Sequence, residues 1–274
     1  AVTHAFLASG ELEAPVHEPK RQVSCRGAQH GIDGQVLTLS ADPNPPVVQL
    51  GQHEVHRAKL DIQFASTGFS WSVFKQFREM AAEADLVNYH FPWPFMDLVH
   101  FACRITKPTV VTYHSDIIRQ KHLLKLYKPL RWRFLNSLDR IVATSPNYMA
   151  SSDVLAPLHQ KVQTIPIGLD SNSYPPHDPE RVQRWRERLG DRYFAFVGVL
   201  RYYKGLHVLL EAARGFDGQV VIAGDGPEAD ELGRQAAAMR LSNVRLLGRV
   251  EDEDKHALMQ LCRAFVFPSH LRSE

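Results

Sequence analysis

The sequence is poor in cysteine, has no long apolar run and carries almost no net charge, and each shortage excludes something. Cys25, Cys103 and Cys262 are odd in number and far apart. They form neither a disulfide framework nor a metal-binding pair, which favours a reducing compartment. The longest apolar stretch, "YFAFVGVL" at 193–200, is strand-sized, far short of the ~20 residues a membrane-spanning helix needs. Net charge is +2, with 17 Lys+Arg against 14 Asp+Glu up to Gly168 and 15 against 16 beyond it. That balance is too even for a dedicated nucleic-acid binder. No basic leader opens the chain at Ala1, so no signal peptide is expected, and the missing initiator methionine points to processing or a fragment. There is no G-x-x-x-x-G-K-[ST] and no G-x-S-x-G. "HEVH" at 53–56 spaces its histidines i and i+3 in a strand-like segment, not i and i+4 as on a zinc helix, so no metal is expected.

What is present is 274 residues, 44% hydrophobic and 23% charged, enough for one large globular domain or two of ordinary size. Strand-like segments (34–40, 85–90, 109–114, 140–145) alternate with helix-like ones (72–84, 95–105, 122–138 interrupted at Pro129, and one opened by Pro146). "KVQTIPIG" (161–168) closes this half. "LDSNSYPPHDPE" (169–180) has three prolines and no apolar periodicity and reads as the core of a linker over 169–190. Alternation then restarts: strands 193–199, 219–223, 243–247 and 264–267 are separated by helices 205–214, 227–240 and 252–263. The pattern predicts an α/β fold of two Rossmann-like domains, 1–168 and 191–274, the second ending on its fourth strand and therefore incomplete. A cleft between them is expected to bind ligand beyond the strands' carboxyl ends. Residues 8–30 should hold the first βα unit, but their periodicity is weak and no structure is assigned to them.

Three strand ends carry candidate chemistry. In "FVGVLRYYKG" (196–205), Arg201 and Lys204 precede Gly205, which opens a helix. Two cations at a helix N-terminus suit a diphosphate, since Arg forks two oxygens and Lys adds a point charge; a solvated loop with two surface cations is the plain alternative. In "VVIAGDGPEADEL" (220–232), the turn Gly224-Asp225-Gly226-Pro227 lets a ligand approach the backbone, or is a turn with no ligand. It also matches the dinucleotide fingerprint G-x-G-x-x-A, but it follows a second strand rather than a first, and the acidic residues after it would repel a pyrophosphate. In "TYHSD" (112–116), His114 ends a strand and is either structural or a hydrogen-bonding and proton-shuttling group, with Asp116 capping the next segment. Between Asp116 and Asp139, six cations (Arg119, Lys121, Lys125, Lys128, Arg131, Arg133) interleave with apolar and aromatic residues and no acid. Such a segment suits an anionic membrane face or a lipid-diphosphate acceptor, or is a helix with one buried and one solvated side.

In this order, "GVLRYYKG", "VVIAGDGP", "LLGRV" and "FPSHLRSE" resemble the C-terminal domain of the group 1 (family 4) retaining glycosyltransferases. "VNYHFPWPFMDLV", "VVTYHSDI" and "IVATSPNY" resemble the N-terminal domain of its bacterial mannosyltransferase-like members, which build O-antigen, capsule or exopolysaccharide. The resemblance spans about residues 31–274 and implies the GT-B fold. It implies that Arg201, Lys204 and Gly205 hold the donor diphosphate and that Gly224, Asp225, Gly226, Pro227, Arg249 and Val250 form the nucleotide-base pocket. His114 would lie beside the transferred sugar, and Glu274 would be the first glutamate of an E-x7-E motif, on the donor hydroxyls. It further implies a nucleotide-diphosphate sugar donor, GDP-mannose preferred, with no cofactor and no divalent metal, and a lipid-linked or glycan acceptor. The place implied is the cytoplasm, at the inner face of the plasma membrane. Two departures stand out: residues 10–30 lack the family's Gly-Gly loop, and the second glutamate is missing beyond Glu274. They imply a glycosyltransferase by descent whose chain, as given, is weakly active or inactive. Two other readings stay open: a non-catalytic nucleotide- or membrane-binding remnant, and an NAD-dependent oxidoreductase using Gly224–Ala229.

Overall fold

A computed structural model describes residues 2–8, 31–50, 53–64, 67–117, 121–168 and 178–269. The chain divides into two compact units, residues 1–170 and 171–274.

The first unit is built on β1 (Val2–Ala8), β2 (Ile32–Ser40), β3 (Val47–Leu50), β4 (His53–Lys59), β5 (Ile62–Phe64), β6 (Thr67–Phe69), α1 (Ser72–Glu83), β7 (Leu86–Phe91), α2 (Pro94–Cys103), β8 (Thr109–Tyr113), α3 (Lys121–Ser137), β9 (Arg140–Ala143), α4 (Pro146–Ser151) and β10 (Val162–Thr164). Eight strands form one sheet in the order β10-β9-β8-β7-β1-β2-β4-β3, while β5 and β6 make a separate hairpin. The large sheet is parallel except where β3 meets β4. From β1 the sheet extends one way to β2 and the other way through β7, β8, β9 and β10, so the order reverses between β1 and β7, the position at which doubly wound sheets open a crevice.

Strand alternation explains which residues are left for function. Val87, Tyr89 and Phe91 on β7, with Val111 and Tyr113 on β8, are fully buried, and Phe91 stacks on Tyr113 with ring centroids 4.5 Å apart. They join Val73, Phe77 and Met80 of α1, Met96 and Val99 of α2 and Phe134 and Leu135 of α3 in one core. Residues one step out of phase, Asn88 and His90 on β7 and Thr112 on β8, emerge on the opposite, half-buried face.

The second unit contains α5 (Pro179–Leu189), β11 (Phe194–Val197), α6 (Leu206–Ala213), β12 (Val220–Ala223), α7 (Ala229–Ala238), β13 (Val244–Gly248), α8 (Asp252–Leu261) and β14 (Ala264–Phe265). Its parallel sheet has the order β13-β12-β11-β14. Val220 and Ile222 pack with α6 and α7 on one face; Val221 and Ala223 pack with α5 and α8 on the other. Fully apolar β12 is what a strand covered on both faces requires.

Two elements differ from expectation. The helix expected to break at Pro129 is continuous over Lys121–Ser137 with Pro129 inside it. Pro129 is exposed, so water can satisfy the carbonyl that loses its donor. The linker expected over 169–190 includes α5. Asp178 caps that helix by accepting from the Arg181 backbone N–H at 2.9 Å. Arg181 Nη1 and Trp185 Nε1 then donate to Asp254 Oδ1 at 2.7 and 2.9 Å, which fastens α5 to α8. Residues 169–177 and 9–30 lie outside the described residues.

Candidate functional site

Because β11, β12 and β13 are parallel and adjacent, the segments after them emerge at one edge of the second sheet. Hydrogen bonds tie these segments together. Gly198 N donates to Ala223 O at 3.0 Å, Leu200 N to Asp225 O at 2.9 Å, and Glu228 N to Leu200 O at 3.1 Å. Gly224 N donates to Gly248 O at 2.7 Å, which brings the Gly224–Pro227 turn beside Arg249 and Val250. Sequence-predicted residues from three loops therefore meet. Val266 N donates to Ala195 O at 2.7 Å, so the segment leading towards Glu274 leaves β14 at the same edge. Glu274 lies outside the described residues.

Arg201 and Lys204 bracket a single 3-10 turn, Tyr202–Lys204, in which Lys204 N donates to Arg201 O at 3.0 Å. The turn places both cations on one short loop between β11 and α6. Arg201 is exposed; Lys204 is half-buried, with Nζ 5.4 Å from the centroid of the Tyr203 ring. Gly205 takes a left-handed conformation, φ +68°, and turns the chain into α6. The arrangement sets two positive groups at a strand end against a helix N-terminus, which suits a multiply charged anion.

The glycines of the second turn are required by packing within the unit. A Cβ on Gly224 would lie 1.9 Å from the Gly198 carbonyl oxygen, and one on Gly226 would lie 2.6 Å from that of Leu200. The chain's own loop approaches these glycines closely. The Asp225 carboxylate accepts from the Gly226 N–H at 2.7 Å and braces the turn.

In the first unit, His114 follows β8 and is half-buried, and its N–H donates to Phe91 O at 3.0 Å. Its Nε2 lies 2.8 Å from Nδ1 of His90, and the two rings meet edge to edge in nearly one plane, their centroids 5.1 Å apart and their planes inclined by 13°. Asp116 accepts from the Tyr113 hydroxyl at 2.7 Å and from Ser152 Oγ at 3.2 Å, which anchors the segment after His114. Burial, together with Asp116, pushes the Tyr113 phenol far up, so it stays a donor. Reasoning from sequence misses His90. The signal that could find it is the repeated Tyr-His pair, Tyr89-His90 and Tyr113-His114, at the ends of adjacent strands.

The basic segment is partly a surface. Lys125, Lys128 and Arg133 on α3 are exposed beside Leu126, which is 81% exposed, and beside Pro129 and Trp132. Arg133 lies over the Phe101 ring at 5.2 Å. Arg131 is a correction: it is only 8% exposed, turned inward among α2 and α3 and near Asp97. Asp97, fully buried, accepts a hydrogen bond from Tyr127, and its carboxyl is pushed up to about 8, chiefly by burial, with Tyr127 and Arg131 opposing. Arg119 and the side chain of Lys121 lie outside the described residues. Among the described residues no group of three metal-ligating side chains converges, and no helix is long and apolar enough to cross a membrane.

Comparison with known proteins gives these features a context. Residues 21–173 match the family model described as Glycosyltransferase Family 4, and residues 178–274 match that described as Glycosyl transferases group 1. The chain is 66% identical over 244 residues to D-rhamnosyltransferase WbpZ of Pseudomonas aeruginosa, covering 89% of this chain and 64% of that protein. It is 50% identical over 253 residues to O-antigen chain mannosyltransferase C of Escherichia coli, covering 92% of this chain and 68% of that one. The chain thus spans about two thirds of the length of these relatives. Sucrose-phosphate synthase from Thermosynechococcus elongatus superimposes with a TM-score of 0.76 at 18% identity, covering 100% of this chain and 77% of that one.

Proposed function

The chain belongs to the group 1 (family 4) glycosyltransferases, its two units being Rossmann-like domains of the GT-B fold; from this we propose that the protein carrying it transfers a hexose from a GDP-sugar to a lipid-linked or polysaccharide acceptor in O-antigen synthesis. The observation that carries the proposal is the meeting of Arg201–Gly205, Gly224–Pro227 and Arg249–Val250 at one sheet edge. The D-rhamnosyl- and mannosyltransferase relatives supply the class of reaction.

In this reading Arg201 and Lys204 clasp the donor diphosphate and the loops at 224–227 and 249–250 receive the base. The bond from the sugar's anomeric carbon to the diphosphate breaks, and a bond to an acceptor hydroxyl oxygen forms as that hydroxyl passes its proton to the departing diphosphate. The departing diphosphate gains negative charge. Fixed cations and the N-terminus of α6 stabilise that charge where it develops, so the residues can do this without a divalent metal. His114 stands beside the transferred sugar and Glu274 on its hydroxyls, and transfer proceeds with retention. The exposed Lys125, Lys128 and Arg133, with Leu126 and Trp132, face the anionic inner leaflet of the plasma membrane, where a lipid-linked acceptor is met.

Rhamnose in the D series is mannose without its C6 hydroxyl, so the two relatives point to one manno-configured donor differing at a single carbon. GDP-mannose is the donor preferred here, and GDP-D-rhamnose is the alternative favoured by the 66% identity. Transfer assays of the full-length protein with labelled GDP-mannose and GDP-D-rhamnose on a lipid-linked acceptor test this. Product from neither donor, with UDP-sugars accepted instead, would overturn the proposal.

A further inference from the structure

We propose that His90 is a positioning residue for His114: the contact between its Nδ1 and Nε2 of His114 fixes the tautomer and ring orientation of His114. The functional consequence rests on the reading of His114 as the histidine beside the transferred sugar; the structural claim does not.

The geometry builds from the strands. In parallel β7 and β8, His90 pairs in register with Thr112, and His114 lies two residues further along the same face. On that face Thr112 Oγ1 donates to Asn88 Oδ1 at 3.3 Å, and His90 meets His114 at 2.8 Å. Behind them, Phe91 and Tyr113 stack at 4.5 Å and 12° within the core. The His90 and His114 rings, centroids 5.1 Å apart and 13° from parallel, meet edge to edge and follow the same two-residue offset as Asn88 and Thr112. Both imidazoles are therefore carried by backbone that the buried aromatic pair and the Phe91 O to His114 N hydrogen bond hold rigid.

A 2.8 Å contact between two ring nitrogens has room for one proton. One nitrogen donates and the other accepts, and two N–H groups facing each other would repel. The tautomer of His114 is thereby coupled to that of His90. With Nε2 of His114 engaged in this way, the protonation of its Nδ1 is set through the partner ring. Hydrogen-bonding partners of this kind orient functional histidines in metal and catalytic sites. Packing without the hydrogen bond would fix the plane of the ring but leave both tautomers open.

The test separates these roles. His90→Phe keeps an aromatic ring at this position and removes Nδ1, while His90→Asn places an amide near the lost nitrogen. Ring 15N shifts of His114, measured with both rings neutral, should report one defined tautomer in the native chain. They should move towards the two-tautomer average in His90→Phe and return in His90→Asn. Unchanged His114 shifts in His90→Phe would overturn the proposal. If His90→Phe does not fold, His90→Asn decides alone: a native tautomer pattern supports the proposal and an averaged one overturns it. In the full-length protein, His90→Phe should lower kcat about tenfold with little change in donor KM, and His90→Asn should restore it. If His114→Ala transfers sugar normally, the role given to His114 fails while the ring measurement still decides the role of His90.

Discussion

Replacing Gly224 by alanine would set a methyl group 1.9 Å from the Gly198 carbonyl oxygen, at a φ of +139° that L side chains rarely adopt. Backbone cannot yield as a flexible side chain can, so Gly224→Ala should destabilise the second unit by roughly 2–4 kcal/mol. Urea unfolding that shows no loss of stability would contradict the close packing of the two loops. Asp97 gives a residue-scale prediction of the opposite kind, in pH. Its carboxyl is pushed up to about 8, so the folded chain keeps a proton that the unfolded chain releases above about pH 4. Stability from that proton is complete at low pH and is lost as pH rises through about 8. His100, held down to about 4 by burial, acts in the other direction but only below about pH 6.5. Asp97→Asn should therefore flatten the fall of the thermal midpoint between about pH 6.5 and about pH 8. An unchanged slope would show that Asp97 is ionised in the fold. Periodicity and composition hold no hint of this acid: Asp97 sits in a helix's first turn, where an exposed carboxylate is ordinary, and only the packing of α3 on α2 buries it.

Among the elements, strands announced themselves best. β7, β8, β11 and β12 are apolar or alternating runs closed by turn residues, and Arg201, Lys204, Gly224–Pro227, Arg249 and Val250 follow the carboxyl ends of β11, β12 and β13. Elements whose existence depends on a partner were harder to read. α5 begins among prolines and charges and resembles a linker until Arg181 and Trp185 are seen meeting Asp254. Pro129 reads as a break because proline removes a donor, yet on the exposed side of α3 that loss is tolerated. The same helix shows why a basic run is not a basic face: Lys125, Lys128 and Arg133 point outward while Arg131 does not. If the outward set meets an anionic leaflet, Lys125→Glu with Lys128→Glu should weaken binding to phosphatidylserine-containing vesicles by about tenfold or more. Equal retention of native and variant on such vesicles would remove α3 from membrane contact.

At the scale of the whole molecule, alternation of strand and helix specified two Rossmann-like units because each parallel strand needs a crossover to return it to the sheet. The loops that would bind the donor were legible for the same reason: parallel order forces them to one edge. What periodicity could not reveal was contact across loops, such as Gly224 against Gly198 or His90 against His114, since neither pair is local in sequence. The central claim is that Arg201, with Lys204 and the turn at Gly205, holds the diphosphate of a GDP-linked donor. Calorimetric titration of GDP and UDP into the native chain and Arg201→Ala tests it most directly. The account predicts that GDP binds more tightly than UDP and that Arg201→Ala weakens GDP by about tenfold or more, as loss of a charge-assisted pair should. GDP affinity that is unaffected by Arg201→Ala would contradict it.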